Sequence, residues 1–99
     1  MQGSHLETKI VHAGGVEEAT GAVVPPIHLA TTFVQDGLDQ KPPGSNDPNS
    51  HGFGYEYQRI GNPTRGTLER ALAMTEQASY AFCFSSGMSA ISAIVQTCL

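Results

Sequence analysis

Two residues of the chain, Tyr57 and Arg59, bring a phenol and a guanidinium within two positions of each other. The run from Tyr55 to Arg59 alternates, so an extended backbone would place Tyr55, Tyr57 and Arg59 on one side. Both groups donate hydrogen bonds, and a guanidinium forms charge-assisted pairs with phosphate oxygens. The pair therefore predicts a site for a dianionic phosphate. Taken alone, it also fits a surface arginine packed beside a half-buried tyrosine.

A second candidate anion site is the turn Ser85-Ser86-Gly87. It lies between an apolar run of strand length, 79–84, and a buried helix expected over 88–95. The N-terminus of a helix offers unpaired backbone N–H groups and a partial positive charge, and Gly87 would let an anion approach the backbone closely. The simpler interpretation is that Ser85 or Ser86 caps an ordinary helix, because no P-loop motif is present.

Other kinds of site find little support. The only lysines, Lys9 and Lys41, lie in an expected arm and in a proline-rich loop, and neither setting would desolvate an amine for covalent catalysis. The four histidines lack the spacing of metal ligands, so no metal site is expected. Cys83 and Cys98 stand alone in apolar surroundings, which predicts small core residues rather than a disulfide.

The elements that must position these residues divide the chain into two unlike parts. Residues 7–33 show no sustained helical period and predict an extended arm with at most a short helical turn. Residues 37–54 are rich in proline, glycine and serine, which predicts a long loop. A helix is expected over 63–77, because Asn62 is a good N-cap and Pro63 a favoured first residue. Its predicted core-facing stripe is Leu68, Ala71, Leu72 and Thr75, with Glu69, Arg70 and Glu76 largely outside it.

Composition excludes several classes of protein. Hydrophobic residues make up 39% and charged residues 14%, with 11 glycines and 6 prolines, which excludes a coiled coil. The net charge is −4 and the few basic residues are scattered, so no nucleic-acid partner is expected. No apolar run approaches the roughly 18 residues of a membrane span, and the N-terminus lacks a signal-peptide pattern. We therefore expect a cytoplasmic protein without a membrane partner.

Several motifs together resemble one enzyme family. The stretch Tyr57-Gln58-Arg59-Ile60-Gly61-Asn62-Pro63-Thr64-Arg65, then Leu68-Glu69 and 84–90, is similar to the N-terminal part of the Cys/Met-metabolism family of pyridoxal-phosphate (PLP) enzymes. Upstream, 8–14, 23–27 and 31–33 fit the same family in the same order. The resemblance covers nearly the whole chain apart from residues 1–6 and the 37–54 loop, which looks longer than usual.

The resemblance implies a fold-type-I α/β enzyme with PLP as its cofactor. Residues 1–62 would form an N-terminal arm and loop that packs on a neighbouring subunit, and 63–99 would begin the large PLP-binding domain. The catalytic lysine that forms a Schiff base with PLP belongs to later segments in the family, so the resemblance implies no catalytic residue within 1–99. The implied assembly is a homodimer with exchanged arms, paired into a tetramer.

The resemblance also implies roles for individual residues. In the family the Tyr-x-Arg segment, here Tyr57 and Arg59, reaches the PLP phosphate of a neighbouring subunit. Gly87 and Met88 would supply backbone amides to the phosphate in their own subunit. Two sets of donors would then hold the phosphate from opposite sides.

Glu56 is the one local indication of substrate. The stretch Tyr55-Glu56-Tyr57 is most similar to the cystathionine γ-lyases of the family, and Glu56 would meet the distal ammonium of cystathionine. The alternation leaves open a solvated acid on the opposite face. The implied activity is cleavage of this small amino-acid substrate to cysteine, 2-oxobutanoate and ammonia, with γ-synthase, β-lyase and methionine γ-lyase activities as alternatives. A further alternative is an inactive chain that serves only in subunit association.

Overall fold

The computed structural model describes residues 5–17, 19–35 and 54–99. Three helices, α1 (Leu6–His12), α2 (Pro63–Thr75) and α3 (Gly87–Cys98), are joined by turns and irregular segments. The predicted 37–54 loop, except Gly54, lies outside the described residues.

The arm contains more helix than the sequence pattern predicts. Helix α1 runs for 7 residues, and Lys9 donates its backbone N–H to the carbonyl of His5 at 3.1 Å. A helix of under two full turns shows too few repeats for a 3.6-residue period to stand out, so the expectation of at most a helical turn was wrong. Helix α1 packs against α2, and Arg70 donates to the carbonyl of Gly14 at 2.8 Å across this contact.

The start of α2 follows the prediction. The Asn62 side chain accepts a hydrogen bond from the backbone N–H of Thr64 at 2.8 Å, and Pro63 is the first helical residue. The cap satisfies one of the N–H groups that have no acceptor inside the helix, and proline removes another. The helix therefore begins where its sequence predicts.

The end of α2 is a Schellman motif built without glycine. Gln77 has a φ of 55°, and its N–H donates to the carbonyl of Met74 at 3.3 Å. The N–H of Ala78 donates to the carbonyl of Ala73 at 2.8 Å. These two bonds satisfy carbonyls at the end of the helix, but a side chain at a left-handed position is strained.

The buried face of α2 differs from the predicted stripe. The buried residues are Pro63, Gly66, Glu69 and Ala73. Leu68 and Leu72 remain 52% and 41% exposed. The helical pattern counted Glu69 as outward because of its charge, whereas an arginine on the same helix gives this carboxylate a partner and allows its burial.

The predicted strand at 79–84 does not form a sheet. Among the described residues the only β-pairing is an isolated antiparallel bridge between Thr32 and Tyr57. A strand needs a neighbour to accept and donate its backbone hydrogen bonds, and no described segment pairs with 79–84. The α/β architecture expected from the sequence is therefore not visible in these residues.

Helix α3 is formed but not buried. Ser86 caps it by accepting from the N–H of Ser89 at 3.1 Å, as the sequence predicts. None of its residues is buried, and Ile94 is 62% exposed. The prediction that both cysteines are core residues was also wrong, since Cys83 is half-buried and Cys98 exposed, whereas both are free thiols as the sequence predicts.

Candidate functional site

A tight turn carries Tyr57 and Arg59. The carbonyl of Tyr57 accepts from the N–H groups of Ile60 at 2.9 Å and Gly61 at 3.0 Å, so the chain reverses at 58–60. The guanidinium carbon of Arg59 lies 4.9 Å from the centre of the Tyr57 ring. The predicted proximity of the two side chains is present, but a turn produces it and not the extended backbone that the alternation predicted. The distance of 4.9 Å places the Arg59 cation over the ring at cation–π range.

The turn is tied to the arm by backbone hydrogen bonds. Gln58 donates its N–H to the carbonyl of Thr31 at 2.8 Å, and Phe33 donates to the carbonyl of Glu56 at 3.2 Å. The rings of Phe33 and Tyr55 pack with centroids 5.3 Å apart. This short antiparallel contact sets the position at which the turn begins.

Asn62 and Thr64 add a second connection to the arm. The Asn62 amide donates to the carbonyls of His28 at 3.3 Å and Ala30 at 3.4 Å, while its oxygen caps α2. The Thr64 hydroxyl accepts from the N–H of His28 at 2.8 Å. Sequence reasoning assigned Asn62 a capping role alone, because contacts across more than 30 positions leave no local pattern.

Arg65 of α2 contacts the same turn. Its Nη1 donates to the carbonyl of Gln58 at 3.1 Å and its Nη2 to the carbonyl of Arg59 at 3.4 Å. Its Nε donates to Glu69 at 3.1 Å, one helical turn along α2. Neither Arg65 nor Glu69 was singled out as a site residue, although the i, i+4 spacing of opposite charges was a signal that the sequence offered.

A cavity of about 880 Å³ lies beside the turn. It is bounded by Tyr57, Arg59 and their neighbours on one side, by Arg65, Gly66 and Glu69 of α2 at its base, and by 80–85 on the far side. Glu56 is exposed and does not line it. The cavity therefore collects both predicted phosphate donors of the turn together with an ion pair.

The N-terminus of α3 lies just beyond this cavity. Gly87 and Met88 are its first two residues, and their N–H groups have no acceptor within the helix. No neighbouring heavy atom lies within 4 Å of the place where a Cβ on Gly87 would stand, so the backbone is open to approach. Neither residue lines the cavity of the turn.

The cavity wall contains one thiol. Burial raises the pKa of Cys83, the nearby Glu69 carboxylate raises it further, and Arg65 lowers it. A raised pKa keeps the sulfur protonated, which disfavours a nucleophilic role. Within the described residues no group of three or more potential metal ligands was found, and no helix is long and apolar enough to cross a membrane.

Comparison with known proteins identifies the family. Residues 7–99 match the family model described as Cys/Met metabolism PLP-dependent enzyme. The chain belongs to this Cys/Met-metabolism family. It is 40% identical over 94 residues to a cystathionine β-lyase of Coxiella burnetii, covering 94% of this chain and 21% of the relative. It is 44% identical over 86 residues to a cystathionine γ-synthase of Mycobacterium leprae, covering 86% of this chain and 20% of the relative.

A solved structure shows the same relationship. The crystal structure of cystathionine γ-lyase from yeast superposes with a TM-score of 0.75 at 38% identity, over 97% of this chain and 22% of that one. The chain spans about a fifth of the length of these Cys/Met-metabolism relatives. Three members with different named activities match to a similar degree, so the comparisons support the family and not one member.

The family uses pyridoxal 5′-phosphate, and the donor chemistry present here suits its phosphate. A phenol and a guanidinium are donors that match phosphate oxygens, and a helix N-terminus with an open glycine is a second anion-binding element. Tyr57 and Arg59 lie together, whereas Gly87 and Met88 lie apart from them at the start of α3. The roles of these four residues and of Glu56 remain predictions.

Proposed function

We propose that this chain is the N-terminal part of a PLP-dependent trans-sulfuration enzyme in which Tyr57 and Arg59 bind the cofactor phosphate. The observation that carries the proposal is the stacked Tyr57–Arg59 pair on a turn at the edge of a cavity. Among the described residues the Arg59 guanidinium makes no hydrogen bond, so its donors are available to an anion. The family match supplies the cofactor.

The phosphate is held from two sides in this proposal. Tyr57 and Arg59 donate from one side, and the amides of Gly87 and Met88 donate from the other. A hydrogen bond to a charged group contributes about 1.5–3 kcal/mol, whereas a helix terminus adds about 0.3–1 kcal/mol. The arginine side therefore provides most of the affinity, and the helix end fixes where the phosphate lies. When bound, PLP supplies an electron sink for the carbanion formed at the substrate Cα.

The two sides belong to different subunits in this proposal. Gly87 and Met88 do not line the cavity that contains Tyr57 and Arg59, as expected if the turn serves a neighbouring α3. The arm also carries exposed apolar side chains that a partner would cover, including Val23 at 80%, Ile27 at 76% and Leu29 at 92%. Exchange of arms in a homodimer, with dimers paired into a tetramer, completes two equivalent sites.

The substrate that we propose is cystathionine, cleaved to cysteine, 2-oxobutanoate and ammonia. Glu56 is exposed beside the phosphate-binding pair, so its carboxylate is accessible to the distal ammonium of a substrate bound in a neighbouring subunit. The β-lyase, γ-synthase and methionine γ-lyase activities of the family are the alternatives. Methionine lacks the distal ammonium, so a carboxylate at this position gives no advantage with it.

The test of phosphate binding is the Arg59→Ala variant of the full-length enzyme. Titration of the apoenzyme with PLP, followed by absorbance, is expected to show a Kd about 10–100-fold higher than wild type, the loss of one or two charge-assisted hydrogen bonds. An unchanged Kd would remove Arg59 from the phosphate site.

Subunit complementation tests the exchange of arms. Arg59→Ala subunits are mixed with subunits that lack the Schiff-base lysine, each inactive or weakened alone. Random pairing makes about half of the dimers mixed, with one intact site each, so about a quarter of wild-type activity is expected. No recovery on mixing would place Arg59 in the site of its own subunit.

A further inference from the structure

Arg65 directs all of its observed hydrogen bonds at the turn and at one carboxylate. The two terminal nitrogens donate to consecutive carbonyls, those of Gln58 at 3.1 Å and Arg59 at 3.4 Å, and Nε donates to Glu69 at 3.1 Å. A guanidinium is planar and rigid, so three bonds from one group fix its plane and the two carbonyls together. Arg65 thus contacts the peptides on both sides of Arg59.

These carbonyls are the ones that the turn itself does not use. The N–H groups of Ile60 and Gly61 both donate to Tyr57, which leaves the carbonyls of Gln58 and Arg59 without an acceptor role inside the turn. Without Arg65 the peptide between Gln58 and Arg59 keeps no hydrogen bond within the described residues, whereas the next peptide is still held by the Ile60 N–H. The side chain of Arg59 moves with the peptide that is released. The stack of Arg59 on Tyr57 therefore depends on backbone contacts made by a residue six positions later.

Glu69 holds Arg65 in this orientation. Its side chain is 11% exposed against 32% for that of Arg65, so the carboxylate is the more deeply buried partner. Burying a carboxylate without a partner is costly, and a buried pair is stable only when its geometry is good. Both residues line the cavity, and Arg65 already donates hydrogen bonds to two neutral carbonyls and to Glu69. Arg59 and not Arg65 is therefore the arginine available to an anion.

We propose that Arg65 is a positioning residue for the cofactor phosphate, acting through the turn that carries Tyr57 and Arg59 and held in place by Glu69. This inference rests on the proposed function, because it assumes that Arg59 binds the phosphate. It assigns the Arg65–Glu69 pair a role in cofactor affinity without direct contact with the cofactor.

The experiment compares PLP binding to full-length apoenzymes by absorbance titration. Arg65→Ala is expected to raise the Kd about tenfold, which is the size of effect expected when a residue that orients a direct ligand is removed. Arg70→Ala is the matched control, because it removes an arginine of the same helix whose bond goes to Gly14 and not to the turn. The control is expected to leave the Kd at the wild-type value.

Arg65→Lys separates positioning from folding. A lysine keeps a cation beside the buried carboxylate of Glu69, so the fold is expected to be retained. An ammonium on a flexible stem does not reproduce the planar fork to two carbonyls and a carboxylate. The Kd is therefore expected to rise nearly as much as in Arg65→Ala, and a wild-type Kd for Arg65→Lys would overturn the proposal.

The double variant distinguishes this inference from the proposed function. If Arg65 acts through the turn, adding Arg65→Lys to Arg59→Ala is expected to raise the Kd by a clearly smaller factor than Arg65→Lys does alone, because only Tyr57 is left to position. If the two substitutions multiply each other's effect on the Kd, Arg65 acts independently of Arg59. That result would overturn the positioning role of Arg65 and leave the proposed function standing. A wild-type Kd for Arg59→Ala would instead overturn the proposed function.

Discussion

The segment around the turn and the segment from 79 to 98 differ in what holds them. The turn at 57–61 is connected to the arm and to α2 by hydrogen bonds made within the chain. The second segment is apolar, with Phe82 at 76%, Met88 at 75% and Ile91 at 56% exposed, and no described element covers it. The geometry of the first segment depends on polar contacts that these residues supply themselves.

The contrast shows which part of a site takes its shape without another layer packed on it. Hydrogen bonds are directional and act over 3 Å, so a few well-placed donors determine the shape of a turn. An apolar strand and helix gain stability only by burial against another layer. The proposed function assigns this covering layer to the rest of the enzyme and to a neighbouring subunit.

The largest effect is expected from isolating the chain. Residues 1–99 alone are expected to release no 2-oxobutanoate from cystathionine in the presence of PLP. Lys9 lies on α1 and does not line the cavity, and the family resemblance predicts that the Schiff-base lysine belongs to a later segment. The full-length enzyme is the positive control for a dehydrogenase-coupled assay. Detectable turnover by the pure chain would contradict the proposal that the catalytic lysine lies outside residues 1–99.

The two helix caps offer the next comparison. Asn62→Ala removes the cap of α2 and two bonds to the arm, and is expected to lower the free energy of unfolding by about 2 kcal/mol. Ser86→Ala removes a cap and a hydroxyl contact with Ser89 on the same helix but no bond to the arm, and about 1 kcal/mol is expected. Urea denaturation of the full-length protein measures both. Hydrogen exchange at the Gln58 amide should rise only in the Asn62 variant, and an equal rise in both would argue against the connection through Asn62.

Glu56 tests whether the exposed edge of the turn selects the substrate. Glu56→Ala is expected to lower kcat/KM for cystathionine about tenfold more than for an analogue without the distal amine, because one charge pair is lost. Glu76→Ala, which removes an exposed acid at the end of α2, is the control of equal charge. Equal losses with both substrates would identify Glu56 as a surface acid.

The smallest effect is expected at the end of α2. Gln77→Gly relieves the strain of a side chain at φ 55° and is expected to raise the free energy of unfolding by about 0.5–1 kcal/mol. Glu76→Gly, at φ −92°, should instead destabilise the protein. No strain is relieved at this φ, and glycine increases the conformational entropy of the unfolded chain. Thermal denaturation measures both, and a loss of stability in Gln77→Gly would contradict the assignment of strain.

The parts of the fold that the sequence predicted depend on neighbouring residues. Asn62 and Pro63 start α2, and Ser86 caps α3, because a cap needs only the next two or three amides. The Tyr57–Arg59 pair was also predicted, although for an extended backbone. Its members are so close in sequence that either conformation brings them together.

The parts that were missed include contacts with distant residues and burial that the residue types do not reveal. The arm contacts of Asn62 span 32 and 34 positions, and no local pattern encodes them. The burial of Glu69 was missed because a charge was assumed to face solvent, whereas Arg65 pairs with it. The predicted burial of α3 and of Cys83 was wrong for a different reason. Apolar residues indicate a surface that is stabilised when another element packs on it, but they do not show whether that element is present.

The sequence by itself determined the starts of α2 and α3 and the residues with donors suited to phosphate, since these follow from residue types and short spacings. Its resemblance to known enzymes indicated the family and the cofactor. Only the tertiary structure decided how the donors are held. It showed that a turn stacks Arg59 on Tyr57, that Arg65 and not Arg59 is engaged with the backbone, and that Glu69 is buried. Those features depend on directional hydrogen bonds that Arg65 makes with residues four to seven positions away, on a turn that Gln58 and Asn62 tie to the distant arm, so they exist only once the arm, the turn and α2 lie together.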